Sequence, residues 1–131
     1  MVVASVQYRI PYGDVDKMGY VYYANYFRYF EILRNELIRK SSVSYKEMEE
    51  NYQLMLPVLD AYCEYLFPAK YDDLITIQGW VSTIEANRIK IEYLIVNQES
   101  KKIATGYTTH ICLNSEGKPR KLPNFIQNLA S

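Results

Sequence analysis

The clearest pattern in the sequence is a helical spacing of apolar residues between Ala24 and Lys40. The run contains no Gly or Pro, and its apolar stripe consists of Tyr26, Tyr29, Phe30, Leu33 and Leu37. Phe27, Ile32 and Ile38 widen this stripe around the helix. The pattern therefore predicts one long helix that other elements cover on most sides.

A two-residue alternation of apolar and polar positions dominates the second half of the chain. It predicts strands at Ile75–Val81, Ile89–Ile95 and Ile103–Leu113, and short polar links join them as in antiparallel hairpins. The other predicted elements are a strand at Val3–Ile10, a short polar helix at Ser42–Asn51 and a strand at Leu54–Phe67. The last three strands should form a meander.

This order of elements predicts an α+β domain in which one antiparallel sheet packs on one main helix. The 131 residues suit a single domain, and the sequence shows no repeat, linker or low-complexity tract. We therefore predict one domain over residues 1–131.

Charge and apolar run length exclude several classes of function. The 15 basic and 15 acidic side chains balance, so there is no long-range positive field to attract nucleic acid or an anionic membrane. No signal peptide is visible, and no apolar run approaches the roughly 20 residues that cross a bilayer. Cys63 and Cys112 lack a CxxC spacing and resemble small buried hydrophobes. We expect a cytoplasmic protein without nucleic acid or membrane insertion.

Candidate chemistry is concentrated between the first strand and the long helix. Asp14, Asp16 and Gly19 form a D-x-D-x-x-G loop, and an aromatic segment ending in Asn25 and Tyr26 follows it. By residue type alone, the two aspartates could equally shape a turn or cap the helix. A helix start also offers unpaired backbone N–H groups at the positive end of its dipole.

This loop, followed by Glu31 and Arg34 in the helix, resembles the signature of the 4-hydroxybenzoyl-CoA thioesterase family. Similarity continues at Tyr71–Leu74 and Gly117–Pro123, so it covers essentially the whole chain. The resemblance implies the hot-dog fold, an antiparallel five- to six-stranded sheet wrapped around one long central helix. It also implies hydrolysis of a short-chain or aromatic acyl-CoA to the free acid and CoA.

The resemblance also implies roles for particular residues. Asp16 matches the catalytic carboxylate, either as the nucleophile or as the base that activates water. The backbone N–H of Tyr23 matches the oxyanion-hole donor. Many relatives have histidine at the Tyr23 position, so a mechanism that needs an imidazole there is not open to this chain.

Substrate contacts are predicted at both ends of acyl-CoA. Tyr22 and Asn25 are candidates beside the acyl group, although Asn25 could instead hold the loop. Arg88, Lys118 and Arg120 could bind the phosphates of CoA, or they could be solvated surface charges. The family implies no cofactor and no metal, because CoA is part of the substrate, and it implies a homodimer or a homotetramer built from two dimers.

Several alternatives stay open from the sequence. Glu31 could act as the base, as a helix carboxylate does in another branch of hot-dog thioesterases, or could pair with Arg34. His110, the only histidine, lies in the last predicted strand. An acyl carrier protein could replace CoA, or the chain could bind acyl thioesters without turnover. Phosphate-binding loops, zinc-ligand spacing and the G-x-S-x-G elbow are absent from the sequence.

Overall fold

One long helix lies against a five-stranded antiparallel sheet in the computed structural model, which describes residues 1–131. The strands are β1 (Val3–Arg9), β2 (Leu54–Met55), β3 (Val58–Tyr65), β4 (Leu74–Ile84), β5 (Arg88–Val96), β6 (Lys102–Ile111) and β7 (Leu113–Asn114). The helices are α1 (Asn25–Arg39), α2 (Tyr45–Asn51) and α3 (Asn124–Gln127). The main sheet has the order β1-β4-β5-β6-β3.

The predicted long helix and meander are confirmed, whereas the predicted strand at Leu54–Phe67 is divided into two. It breaks at Leu56 and Pro57, because proline has no N–H to continue a ladder. β2 turns away and pairs with β7 in a separate two-stranded sheet, and only β3 joins the main sheet. The sequence pattern predicted neither β7 nor α3.

The core lies between α1 and the facing side of the sheet. All five predicted stripe residues of α1 are buried. They pack against a layer formed by Ile75, Ile77, Val81, Ile89, Ile91, Tyr93 and Ile95. Phe27 and Ile32 are only half-buried, so the predicted covering of the helix on most sides is incomplete in one chain. No helix in the structure has the length and apolar character needed to cross a membrane.

Two glycines let α1 approach the sheet closely. A Cβ atom at Gly79 would collide with the Leu33 side chain, and one at Gly106 would collide with the Phe30 ring and the Tyr62 carbonyl oxygen. The Phe30 ring instead stacks on Tyr93 with a centroid separation of 4.2 Å. This close packing fixes the helix axis, and therefore the position of the loop that precedes the helix.

β3 is an edge strand with an unusual surface. It pairs with β6 along one side only, and seven of its eight residues are exposed. Val58, Leu59, Tyr62 and Tyr65 make this edge apolar. An exposed apolar edge readily pairs with another strand, and proteins normally protect such edges. Within one chain, the free side of β3 is therefore an unprotected apolar edge.

Candidate active site

The loop before α1 is folded around the Asp16 carboxylate. Asp16 Oδ1 accepts hydrogen bonds from the backbone N–H groups of Met18 (2.9 Å) and Tyr20 (3.2 Å). Gly19 closes the turn with a φ of 83°, a conformation that glycine adopts without strain. No protein group donates to the second oxygen, Oδ2. The loop therefore holds the carboxylate firmly and leaves one oxygen without a protein partner.

Asp16 lies in the wall of a cavity of about 400 Å³. The cavity is otherwise apolar and aromatic, lined by Met18, Tyr20, Val21, Tyr23, Tyr26, Tyr65, Leu66, Phe67 and Pro68. Burial raises the pKa of Tyr26 to about 12 and that of Tyr65 to about 12, so both phenols are neutral. Since the phenols are neutral, the Asp16 carboxylate is the only negatively charged group in this lining.

The backbone N–H of Tyr23 has no acceptor in the protein, although it belongs to a firmly held peptide. The carbonyl of that peptide, contributed by Tyr22, accepts from the Asn25 N–H at 2.9 Å. In a trans peptide the N–H points away from the carbonyl, so the Tyr23 N–H faces out of the turn. Tyr65 donates its hydroxyl to the Tyr23 carbonyl at 3.1 Å and holds the next peptide. The result is a fixed free donor just before α1.

Asp14 ties the loop to α1. Its buried carboxylate forms an ion pair with Arg28 at 2.5 Å and accepts from the Tyr29 hydroxyl at 2.8 Å. Burial, and then the Asp14 carboxylate, raise the pKa of Tyr29 far above its ordinary value. The Asp14 carbonyl accepts from the Asn25 side chain at 2.9 Å. Asn25 therefore holds the loop, and a contact with an acyl group stays a prediction.

Tyr22 lies at the surface, outside the residues that line the Asp16 cavity. Its ring centroid is 4.8 Å from that of Tyr23, and a hydrogen bond with Tyr23 raises the pKa of Tyr22. Both rings are exposed, 48% for Tyr22 and 59% for Tyr23. Tyr23 lines the cavity and Tyr22 does not, so the predicted contact of Tyr22 with substrate stays a prediction.

The predicted basic residues gather at the other end of the sheet. Backbone hydrogen bonds from Leu122 to Ala86 (2.9 Å) and from Cys112 to Asn87 (2.8 Å) bring the segment carrying Lys118 and Arg120 beside the turn that precedes Arg88. Arg88 pairs with Ile111 across the sheet, near the Val58 end of β3, whereas the Asp16 cavity lies at its Tyr65 end. Within one chain, these cations are therefore remote from Asp16.

A second cavity, of about 390 Å³, lies near the Val58 end of β3. Its lining is drawn from several separate elements and consists of Glu31, Arg34, Asn35, Ile38, Tyr45, Leu56, Pro57, Val58, Ile91 and His110. Glu31 and Arg34, which could have paired, form no ion pair, whereas Glu36 and Arg39 do pair. Glu31 lines this second cavity rather than the Asp16 cavity.

His110 is buried, lines the second cavity and is neutral. Burial lowers its pKa to about 4, because the charged imidazolium would lose its hydration there. Its Nδ1 lies 2.8 Å from the Leu56 carbonyl, which can only accept, so Nδ1 carries the proton. His110 is thus a structural group in a different cavity from Asp16.

This burial predicts a loss of stability in mild acid that depends on His110. The unfolded chain takes up a proton near the ordinary pKa of 6.5 and the folded chain only near 4, so the unfolding free energy should fall as pH drops between these values. The shift corresponds to about 3 kcal/mol. The unfolding free energy can be measured by chemical denaturation at several pH values between 6.5 and 4. The decrease that is due to His110 should be absent from His110→Gln. Equal slopes for both proteins would contradict it.

The sequence of the chain is similar to those of known thioesterases and of a protein described as an esterase. The sequence profile of the thioesterase-like superfamily matches residues 10–129. A protein of Aquifex aeolicus described as an esterase is 33% identical over 118 residues, which are 90% of each chain. Acyl-CoA thioester hydrolase YbgC of Escherichia coli O6:H1 is 29% identical over 119 residues, covering 90% of this chain and 88% of YbgC.

Solved structures show the same architecture. The structure of DHNA-CoA thioesterase from Staphylococcus aureus superposes with a TM-score of 0.89 and 29% identity, covering 98% of this chain and 86% of that one. The predicted hot-dog fold is therefore confirmed. The chain belongs to the thioesterase-like superfamily, the family of thioester hydrolases that its sequence resembles.

Proposed function

We propose that the chain hydrolyses a short-chain or aromatic acyl-CoA to the free acid and CoA, with Asp16 as its catalytic carboxylate. The observation that carries this proposal is the pairing of two features at one cavity. Asp16 has one carboxylate oxygen without a protein donor, and Tyr23, whose N–H is also free, lines the same cavity. A carboxylate that acts as nucleophile or base and a donor that stabilises the oxyanion can together hydrolyse a thioester.

Asp16 can hydrolyse the thioester in either of two roles, as a nucleophile or as a general base. As a nucleophile, its oxygen bonds to the acyl carbon, the C–S bond breaks, and water then cleaves the mixed anhydride. As a base, it takes a proton from the water that attacks the acyl carbon. The C–S bond breaks when the tetrahedral intermediate collapses, and the proton passes from Asp16 to the departing CoA sulfur. Negative charge develops on the carbonyl oxygen in both cases. The Tyr23 N–H would stabilise it near the positive end of the α1 dipole.

The lining of the cavity supports the proposed acyl class. Nine of the ten lining residues are apolar or aromatic, so the cavity suits an uncharged acyl group. The aromatic rings of Tyr23, Tyr26, Tyr65 and Phe67 suit a flat or short acyl group. YbgC and the Staphylococcus aureus enzyme, named as acting on acyl-CoA and DHNA-CoA, support the same class.

A homodimer through β3 completes the proposed site. Two identical β3 strands that pair antiparallel about a twofold axis place Val58 of one chain opposite Tyr65 of the other. The basic residues near the Val58 end, Arg88, Lys118 and Arg120, then approach the Asp16 cavity of the other chain. They could hold the CoA phosphates there. A homotetramer would join two such dimers, and no metal or cofactor is needed.

The proposal is tested by CoA release from a panel of acyl-CoAs. The panel should include benzoyl-type substrates and straight chains of short, medium and long length. We expect turnover of short-chain or aromatic members and much weaker turnover of long chains. Absence of turnover with every member would contradict the proposal, and the same acyl groups on acyl carrier protein would then test the other carrier.

A further inference from the structure

Tyr65 connects the edge strand β3 to the residue just before α1. Its hydroxyl donates to the Tyr23 carbonyl at 3.1 Å, although the two residues are 42 positions apart in the chain. Its ring also meets the rings of Tyr23 and Tyr26 edge to face, with centroid separations of 6.3 and 5.2 Å. Tyr65 therefore contacts Tyr23 through its hydroxyl and through its ring.

The Tyr23 carbonyl has no equally good partner elsewhere. The Tyr26 N–H lies 3.4 Å from the same oxygen, which is long for a bond between an N–H and a carbonyl oxygen. No other group of the protein donates to this oxygen. The Tyr65 hydroxyl is therefore the main restraint on this carbonyl.

Tyr23 lies between two peptide groups, and a different partner holds each of them. The Tyr22 carbonyl belongs to the peptide that carries the Tyr23 N–H, and it accepts from the Asn25 N–H at 2.9 Å. The Tyr65 hydroxyl holds the peptide on the other side. Peptide groups are planar, so anchoring both of them fixes φ and ψ of the residue between them. The direction of the Tyr23 N–H therefore depends on both hydrogen bonds.

Other supports of Tyr23 are weak. Its ring is 59% exposed, so packing of its own side chain gives the backbone little support. It precedes α1, which begins at Asn25, and the helix supplies only the long bond from the Tyr26 N–H. β3, in contrast, is paired with β6 up to Tyr65. The hydrogen bond from Tyr65 thus ties a weakly supported residue to the sheet.

The Tyr65 hydroxyl itself is poorly suited to proton transfer. Its single proton is already donated to the Tyr23 carbonyl. Burial raises the pKa of Tyr65 to about 12, so the phenol stays neutral near pH 7 and gives up its proton less readily than an ordinary phenol. The hydroxyl is therefore placed to act on the backbone of Tyr23 rather than on the substrate.

We infer that Tyr65 is a positioning residue of the oxyanion hole, and that its hydroxyl aims the Tyr23 N–H by holding the Tyr23 carbonyl. This inference rests on the proposed function and adds to it a residue from β3. A donor stabilises developing charge most when it is aimed before that charge appears. The acyl oxygen is neutral in the bound substrate and charged in the transition state. Aiming the donor therefore raises kcat more than it lowers KM.

Tyr65→Phe tests the hydroxyl alone, because it keeps the ring that lines the Asp16 cavity. We expect kcat on the best acyl-CoA to fall by about tenfold and KM to change by less than about twofold. Loss of a whole oxyanion donor costs about 100-fold or more, and a donor that is only less well aimed should cost less. Tyr52→Phe is the control. Tyr52 is 51% exposed against 46% for Tyr65 and lies outside the cavity, so kcat should stay unchanged.

Two further measurements separate positioning from support of the cavity wall. A thioether analogue of the best acyl-CoA lacks the carbonyl oxygen, so Tyr65→Phe should bind it with the wild-type dissociation constant. Replacement of Tyr65 by 4-aminophenylalanine supplies an N–H donor in place of the hydroxyl and should restore most of the lost kcat. The thermal unfolding midpoint of each variant shows whether it is folded.

A wild-type kcat in folded Tyr65→Phe would overturn the inference. A loss of thioether affinity as large as the loss of kcat would also overturn it, because damage to the cavity wall would then be the cause. The same holds if a folded protein with 4-aminophenylalanine at position 65 is no more active than Tyr65→Phe. If wild type hydrolyses no acyl-CoA at all, the proposed function fails instead.

Discussion

Asp16→Asn is expected to lower kcat by at least about 100-fold on the best acyl-CoA, the size of effect that loss of a general base or nucleophile gives. The substitution removes the negative charge and basicity of the side chain. It keeps an Oδ1 acceptor for the N–H groups of Met18 and Tyr20, so the loop should stay folded. Steady-state CoA release, together with the thermal unfolding midpoint, would measure both properties.

A matched control separates catalysis from a general loss of charge. Asp72 is exposed, lies outside the cavity and has a φ of 70°, which asparagine also tolerates. Asp72→Asn should therefore leave kcat unchanged. If Asp16→Asn retained the wild-type kcat, Asp16 would not be the catalytic carboxylate, and Glu31 would become the carboxylate to test.

The second large effect concerns the β3 edge. Ala61→Glu should convert the proposed β3 dimer to monomers and abolish most turnover. Ala61 is exposed at the middle of the edge strand, so glutamates there would bring two like charges together near the proposed twofold axis. The monomer would keep Asp16 and Tyr23 but would lose the other chain's basic residues. Light scattering coupled to size-exclusion chromatography, with kcat/KM measured on the same fractions, gives both results.

Ser5→Glu is the control for this substitution. Ser5 is exposed on β1, the opposite edge strand of the same sheet. A glutamate at this position therefore adds the same charge to the sheet, but away from the proposed interface. It should leave the mass in solution and the activity unchanged. A fully active Ala61→Glu monomer would show that one chain holds the complete site.

The sequence predicted those parts of the fold that depend on local periodicity. The stripe from Tyr26 to Leu37 is buried along α1, and the alternations in β4, β5 and β6 place their apolar residues against it. The D-x-D-x-x-G order, which is continuous in the chain, also predicted Asp16 as the catalytic carboxylate; the structure places Asp16 in the wall of a cavity, and its catalytic role stays a prediction. The local pattern and the tertiary structure agree in these segments.

The rest depends on contacts between distant segments, which a one-dimensional pattern does not specify. Tyr65 reaches the Tyr23 carbonyl only because β3 lies at the edge of the sheet beside the loop. Helical spacing allowed Arg34 to pair with Glu31, yet Arg34 donates to the Tyr93 hydroxyl, 59 residues away in the chain. No spacing rule could have indicated that partner.

Release of CoA in a single turnover, with enzyme in excess over its best acyl-CoA, tests the central claim most directly. It measures the chemical step apart from product release, and the dissociation constant can be measured on the same proteins. We predict that Asp16→Asn binds the substrate with nearly the wild-type affinity and releases CoA at least about 100-fold more slowly. Equal single-turnover rates for the two proteins would contradict the assignment of Asp16 as the catalytic carboxylate.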